Sequence, residues 1–133
     1  MSTIGAFFVG LLAPDAPGAI TAELDRQDLH DLRELAEKAG FDVRTVAVPL
    51  EGSRESLFET LAKVYEFPSY FGYNWDALTD CWSDLPAAKT LCLLRHPDRL
   101  EPEDRATLIE VAGDVAERCG SEPERIFRLV LVA

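Results

Sequence analysis

Residues 67–85, FPSYFGYNWDALTDCWSDL, join an aromatic segment to an acidic one, and the rest of the chain is best understood from this stretch. More than half of the aromatic residues fall within residues 65–82, including every Tyr and both Trp. No Lys or Arg occurs in residues 64–88, although one Glu and three Asp do. The stretch therefore concentrates large rings and uncompensated negative charge in one short segment.

The beginning of this stretch has the residues of a loop that leads into a helix. Pro68 ends the helix before it, because a residue that precedes proline avoids the α conformation. Pro68 and Gly72 bracket a short run of rings, and Asn74 is a good N-cap for the helix that follows. We therefore predict an exposed aromatic loop over residues 68–73 and a helix that begins at Asn74.

The predicted helix has two different faces. Asp76, Asp80 and Asp84 recur at a spacing of four, which places them along one side as an acidic ridge. The apolar residues with core spacing on the other side are Trp75, Leu78, Cys81, Trp82 and Leu85. Neighbouring acids repel one another by a few tenths of a kcal/mol per pair. The ridge is either a solvated polar face or a surface that binds a cationic partner.

Length and charge limit the functions that the chain can have. The 133 residues predict a single domain, 1–133, with 47% hydrophobic and 28% charged residues. A net charge of −11 repels nucleic acid and anionic membranes and attracts basic partners. We therefore expect no nucleic-acid or membrane binding.

Cysteine usage indicates a reducing compartment. Cys81, Cys92 and Cys119 are an odd number in apolar contexts, which favours free thiols and a cytoplasmic location over a disulfide framework. No CxxC motif or Cys/His cluster suggests a metal site, and no cofactor is implied.

The order of apolar segments predicts an α/β fold. The run at 4–12 is too short for a transmembrane helix and lacks the preceding basic residues of a signal peptide, so it is expected to be the first strand. Residues 20–24 are a weaker strand or an approach to a helix. Further strands are predicted at 41–48, 90–94 and 126–132, and helices at 25–39, 53–67, 74–85 and 102–120. This alternation predicts a small, mainly parallel sheet flanked by helices, with the N-terminal strand at an edge.

One pattern within the stretch resembles the barstar family of ribonuclease inhibitors. It reads Phe67-Pro68-x-Tyr70-Phe71-Gly72-x-Asn74-Trp75-Asp76-Ala77-Leu78-x-Asp80-Cys81. The resemblance extends over the predicted elements from residue 41 to the end of the chain. It implies a barstar-like core at 41–133, with residues 1–40 as an N-terminal β/α extension.

The resemblance also implies a function. Barstar-like proteins are intracellular inhibitors that bind small, guanine-preferring bacterial ribonucleases one-to-one, without chemistry, and plug the active site. By position, Asp80 would occupy the place of a substrate phosphate, Asp76 would face a nuclease Arg, and Tyr70 would lie against the catalytic His. Asn74 and the backbone near Gly72 would complete the contact.

Three residues depart from the family pattern. Thr79 stands where the best-known family member has a Trp that packs on its nuclease, Trp75 replaces a smaller apolar residue, and Phe71 replaces a second Tyr. We include all three in the expected partner-binding surface. The acid that the family contributes from the last long helix has two candidates here, Asp114 and Glu117.

Two alternatives to a ribonuclease inhibitor are an enzyme and an interaction module with a different target. An enzyme is not expected, because His30 and His96 lie on different predicted elements with no adjacent nucleophile, and no Gly-rich phosphate loop follows a strand. The competing hypothesis is a barstar-fold interaction or immunity module for a different basic protein or toxin nuclease. In either case we expect a monomer that binds a basic protein.

Overall fold

The computed structural model describes residues 3–122 and 124–133 and shows five α-helices and four β-strands within them. The helices are α1 (Thr3–Leu11), α2 (Arg26–Lys38), α3 (Arg54–Tyr65), α4 (Trp75–Ser83) and α5 (Pro102–Gly120). The strands are β1 (Ala19–Ala22), β2 (Asp42–Ala47), β3 (Lys89–Arg95) and β4 (Ile126–Val132), and a 3₁₀ turn spans Pro97–Arg99.

The four strands form one parallel sheet in the order β1-β4-β3-β2. The two central strands are paired with Cys92 opposite Leu129, and residues 91–94 of β3 and every residue of β4 except Arg128 are apolar. This is the composition expected of strands that are covered on both faces. The predicted α/β class with a parallel sheet flanked by helices is confirmed.

Two helical layers cover the sheet. Alternate residues of β3 point to opposite faces, so Cys92 and Leu94 lie in one core cluster while Leu91 and Leu93 lie in the other. The first cluster packs against α3, α4 and α5, and the second against α1 and α2. The acidic helix α4 is therefore held on the larger of the two cores.

The prediction of a strand at residues 4–12 is wrong, because Thr3–Leu11 form helix α1. Ile4, Phe8 and Leu11 are buried at spacings of four and three, which is the helical period. The Phe8 ring packs edge-on against Phe41 with centroids 5.9 Å apart. A short apolar run has no period that separates a strand from a buried helix, so tertiary packing decides between them. The N-terminal edge strand is instead β1, which overlaps residues 20–24, the segment predicted as a weaker strand or an approach to a helix.

The remaining elements follow the predictions closely, with one change in the last helix. Asp25 caps α2 and Ser53 caps α3, each by accepting a hydrogen bond from a backbone N–H three residues on. The spacing of apolar residues in α5 predicts that Ile109 faces the core, but Ile109 is 39% exposed and Val111 is buried instead. None of the helices in the described residues combines the length and apolar character needed to cross a membrane.

Candidate partner-binding site

The aromatic loop before α4 has one buried ring and two exposed ones. Phe71 is buried, with its ring centroid 5.0 Å from Phe67 and 6.0 Å from Phe58 of α3. Tyr70, the residue before it, is 83% exposed. Tyr73 is 48% exposed and its ring lies 5.2 Å from Phe71. The buried Phe71 thus fixes a loop that displays two tyrosines to solvent.

Tyr73 was not among the predicted site residues. It has a left-handed backbone conformation with φ of 52°, which is uncommon for a residue with a side chain. This turn directs the chain into the first residue of α4. The spacing of the aromatic residues could have suggested the exposed ring, but the left-handed turn has no clear signal in the sequence.

Asn74 links the loop to the helix, as predicted. Its side-chain oxygen accepts a hydrogen bond from the backbone N–H of Ala77 at 2.8 Å, and its side-chain nitrogen donates to the Gly72 carbonyl at 3.1 Å. A Cβ atom at Gly72 would lie 2.9 Å from that nitrogen. The absence of a side chain at Gly72 therefore allows this close arrangement.

Helix α4 presents the predicted acidic ridge. Asp76, Asp80 and Asp84 are all exposed, whereas Leu78 and Trp82 on the opposite side are buried. Asp84 is the C-cap of α4, and its backbone N–H donates to the carbonyl of Asp80. In the part of the chain that the structure describes, neither Asp76 nor Asp84 has an ion-pair partner. Their carboxylates are available to a cationic group from outside.

Trp75 and Thr79 lie at the border between the ridge and the core. The Trp75 ring is half-buried and packs edge-on against Phe58 with centroids 5.0 Å apart. Thr79 is only 8% exposed, and its hydroxyl donates to the Trp75 carbonyl at 3.0 Å. Trp75 keeps some accessible surface, whereas Thr79 and the buried Phe71 offer a partner very little.

Asp80 has a partner that the local sequence did not reveal. Arg118 of α5 donates from Nη1 to Asp80 Oδ1 at 3.1 Å, and the two side chains are 55% and 69% exposed. The residues are 38 positions apart, so only the packing of α4 against α5 brings them together. The ridge therefore contains one arginine next to its middle acid and is not a bare line of carboxylates.

A second arginine lies at the end of α4. Arg125 donates from Nη2 to the carbonyls of Ser83 and Leu85 at 3.1 and 3.2 Å. A cation at this position satisfies carbonyl groups that a helix end leaves free, and it complements the helix dipole. Arg125 thereby fixes the end of α4 that carries Asp84.

The two candidate acids of the last long helix lie beside Arg118. Asp114, Glu117 and Arg118 line one open cleft on α5, and all three are exposed. The packing of α4 against α5 thus continues the negative surface from one helix to the next.

Cys81 is half-buried on α4 between two acids of the ridge. Partial burial raises the pKa of its thiol, and the negative charges of Asp84 and Asp80 raise it further. A raised pKa disfavours the reactive thiolate. Cys81, Cys92 and Cys119 are all free thiols.

One other group of side chains has the composition of a cation site. His30, Asp31 and Glu34 of α2 form the single such cluster within residues 3–122 and 124–133, with their candidate ligand atoms within 4.8 Å of one another. Helix α2 belongs to the second core cluster, on the opposite face of the sheet from α4. Such exposed groups on one turn of a helix are common in proteins without a bound ion, and this cluster has no connection with the acidic ridge.

Comparison with known proteins assigns most of the chain to a family. Residues 41–132 match the family model described as Barstar (barnase inhibitor). No curated protein matches the chain. The matched segment begins after α2 and includes both the aromatic loop and the acidic ridge.

Proposed function

This chain belongs to the barstar family, and from that premise we propose that it inhibits a small, basic, guanine-preferring bacterial ribonuclease by binding it one-to-one. The proposed surface consists of the exposed part of the aromatic loop and the ridge of α4. Its site residues are Tyr70, Phe71, Gly72, Asn74, Trp75, Asp76, Thr79 and Asp80. Inhibition by occlusion needs no chemistry, so the proposal involves no catalytic residue and no cofactor.

The observation that carries the proposal is an exposed ring on an anchored loop that leads directly into a helix with exposed carboxylates. Tyr70 is 83% exposed on a loop that the buried Phe71 anchors, and Asp76 and Asp80 are exposed on the adjoining helix. Rigid aromatic anchors next to charges are typical of interface hot spots. A ribonuclease active site binds RNA phosphate and is therefore rich in basic residues, which makes it complementary to these acids.

We assign each exposed residue a role in that complex. Asp80 takes the place of a substrate phosphate, and Asp76 pairs with an arginine of the nuclease. Tyr70 lays its ring against the catalytic histidine. Asn74 and the backbone at Gly72 complete the contact from the loop, where the carbonyl of Gly72 is already held by the Asn74 side chain.

The three residues that depart from the family pattern have more indirect roles in this proposal. Phe71 and Thr79 are buried, so they position their neighbours and contribute little surface of their own. The Trp75 ring is half-buried against Phe58, which leaves one edge for the partner. This distribution leaves the contact mainly to Tyr70, Asp76 and Asp80.

The overall charge supports fast association with a basic protein. The net charge of −11 attracts a cationic partner over roughly the Debye length, about 8–10 Å at physiological salt. We propose a monomer in the cytoplasm, where the three free thiols would stay reduced. Association should therefore be rapid at low salt and should slow as salt is added.

The test is a titration of barnase activity with the wild-type protein and with ridge variants. Wild type should inhibit at a one-to-one ratio, and Asp80→Ala should weaken binding by several kcal/mol, an effect for which the barnase–barstar pair is itself a known example. Asp84→Ala is the matched control, because it removes an exposed acid farther along the same ridge and should have a much smaller effect. Full inhibition by a protein that carries both Asp76→Ala and Asp80→Ala would refute the interface.

A second candidate function is an interaction or immunity module on the same scaffold, directed at a different basic protein or toxin nuclease. Two observations favour a target other than a guanine-preferring ribonuclease. Thr79 offers almost no surface to a partner, and Arg118 already forms a hydrogen bond with Asp80. Absence of barnase inhibition, together with capture of another basic nuclease through the Asp80 surface, would support this candidate.

A further inference from the structure

Arg118 lies beside Asp80 of the proposed binding surface and carries a charge opposite to that of the surface. Its Nη1 atom is 3.1 Å from Asp80 Oδ1, and its side chain is more than half exposed. In the described part of the chain, this hydrogen bond is the only one that its guanidinium makes. The arginine is thus accessible to anything that approaches Asp80.

Only half of the Asp80 carboxylate is engaged. Arg118 binds Oδ1, and no group of the described residues binds Oδ2. A carboxylate can accept several hydrogen bonds, so a second cation can still reach it. That cation must come within a few ångströms of Arg118 and is repelled by it.

We propose that Arg118 is a specificity-determining residue, which competes with the cation of a partner for Asp80 and so disfavours surfaces that carry positive charge alone. The inference rests on the proposed function and adds a residue from α5 to the α4 surface. A suitable partner offers Asp80 a cation and also offers Arg118 an acceptor. A partner that presents only cations must displace Arg118 from Asp80 or bind beside it.

The surroundings of Arg118 show why its charge matters. Asp114 and Glu117 line the same cleft on α5, and Asp80 of α4 is the hydrogen-bond partner of Arg118, so the acids near this arginine come from two helices. Arg118 therefore interrupts a negative surface shared by α4 and α5, whereas Arg125, the other arginine beside α4, is bound to backbone carbonyls at the end of that helix. Exposed ion pairs of this kind contribute little to the free energy of folding. Removing Arg118 should therefore change binding without unfolding the protein.

The experiment compares Arg118→Ala with Arg26→Ala, because both remove one positive charge from the chain. Arg26 is exposed at the start of α2, in the helical layer on the other face of the sheet. Binding is measured with barnase and, separately, with a hexa-arginine peptide at low salt. Arg118→Ala should bind the peptide about two- to fivefold more tightly than Arg26→Ala, and with a steeper dependence on salt.

Two further variants separate charge from packing. Arg118→Lys retains the charge and should restore wild-type binding of the peptide. In an Asp80→Asn background, Arg118→Ala should lose most of its effect if it acts through Asp80. Thermal melts of each variant show that the fold is retained.

The outcomes for the two probes are distinguishable. If no variant inhibits barnase, the proposed ribonuclease target is wrong, and the peptide alone decides the role of Arg118. If the peptide binds Arg118→Ala and Arg26→Ala equally, or binds no variant, the competition is refuted. Weaker binding of Arg118→Ala than of wild type would also overturn it, because the arginine would then be assisting recognition.

Discussion

The side-chain oxygen of Asn74 accepts a hydrogen bond from the backbone N–H of Ala77 at 2.8 Å. This bond satisfies one of the free N–H groups in the first turn of α4. The same side chain donates to the Gly72 carbonyl, so a single carboxamide fixes both the end of the aromatic loop and the beginning of the helix. The relative position of Tyr70 and the acids of α4 therefore depends on Asn74.

Replacing Asn74 should separate these two contributions. Asn74→Ala removes the cap and the bond to Gly72, and we expect the free energy of unfolding to fall by about 1 kcal/mol. Asn74→Asp is the matched control, because a carboxylate caps a helix equally well but cannot donate to the Gly72 carbonyl. Urea denaturation measures the loss. Equal destabilisation by both substitutions would contradict the capping role and assign the effect to the Gly72 bond.

Tyr70 should affect binding and leave stability unchanged. Its ring is 83% exposed, so Tyr70→Ala removes almost no packing and should shift the free energy of unfolding by less than about 0.5 kcal/mol. Binding to a ribonuclease should weaken by more than tenfold, that is, more than about 1.4 kcal/mol. Isothermal titration calorimetry measures the binding and urea denaturation the stability.

Tyr73→Ala is the comparison for Tyr70→Ala, since Tyr73 is an exposed ring on the same loop that also contacts Phe71. A smaller binding loss is expected there, with a larger loss of stability. If Tyr70→Ala bound as tightly as wild type, the ring would have no role in recognition.

Much of the fold was predictable from local sequence signals. Candidate caps at Asp25 or Asp28 and at Ser53, and the proline in the first turn of α5, indicated where helices begin, and Asp25 is the residue that caps α2. The unbroken apolar run around Cys92 indicated a strand buried on both faces. The error at residues 4–12 arose because Phe7, Phe8 and Val9 favour strands, while packing against Phe41 and the second core selects a helix. The local preference of these residues for strand conformation is a smaller free energy than the burial of apolar side chains in the core.

The candidate site was predictable where it depended on one continuous stretch. Asp76, Asp80 and Tyr70 are exposed as expected, since helix spacing and the N-cap determine their orientation. Arg118 was not predictable as a neighbour of Asp80, because the contact depends on how two helices pack. Thr79 was expected in the partner-binding surface but is only 8% exposed, because it lies at the border between the ridge and the core, where the packing of the whole fold decides burial.

Alkaline pH should destabilise the protein through a buried thiol. Burial raises the pKa of Cys92 to about 12, whereas an exposed thiol in the unfolded chain titrates near about 8.5. Between these values only the unfolded state loses the proton, so stability is complete below about pH 8.5 and decreases as pH rises toward 12. Burial also raises the pKa of Tyr65, which adds to the loss above about pH 10.

Urea denaturation at a series of pH values tests this linkage. The first pH unit above about 8.5 should lower the free energy of unfolding by about 1 kcal/mol for Cys92 alone, and the next unit by about 1.3 kcal/mol. Cys92→Val fills a similar volume and should reduce the slope between about pH 8.5 and 10, where Tyr65 does not yet contribute. The difference in free energy of unfolding between wild type and Cys92→Val at pH 7 measures any change in packing and is subtracted at the other pH values. Parallel curves for the two proteins would show that Cys92 is not the source.

Arg128 should hold the N-terminal helix on the sheet. This β4 residue is only 8% exposed, and burial lowers the pKa of its guanidinium. It donates from Nε to the Leu11 carbonyl at 2.9 Å and from Nη2 to the Ala13 carbonyl at 3.3 Å. Within residues 3–122 and 124–133 it has no carboxylate partner, so carbonyls at and just beyond the end of α1 take the place of a counter-ion.

Arg128→Met keeps an unbranched apolar stem at this position but removes the guanidinium donors. The substitution should lower the free energy of unfolding by about 2 kcal/mol. Hydrogen exchange should show the loss mainly in residues 3–11, because the core on the other face of the sheet does not depend on this contact. Lys38→Ala, at an exposed position on α2, is the control; it should lower the free energy of unfolding by well under about 1 kcal/mol and leave the protection of residues 3–11 unchanged. Unchanged protection of residues 3–11 in Arg128→Met would mean that apolar packing of Ile4, Phe8 and Leu11 holds α1 without the arginine.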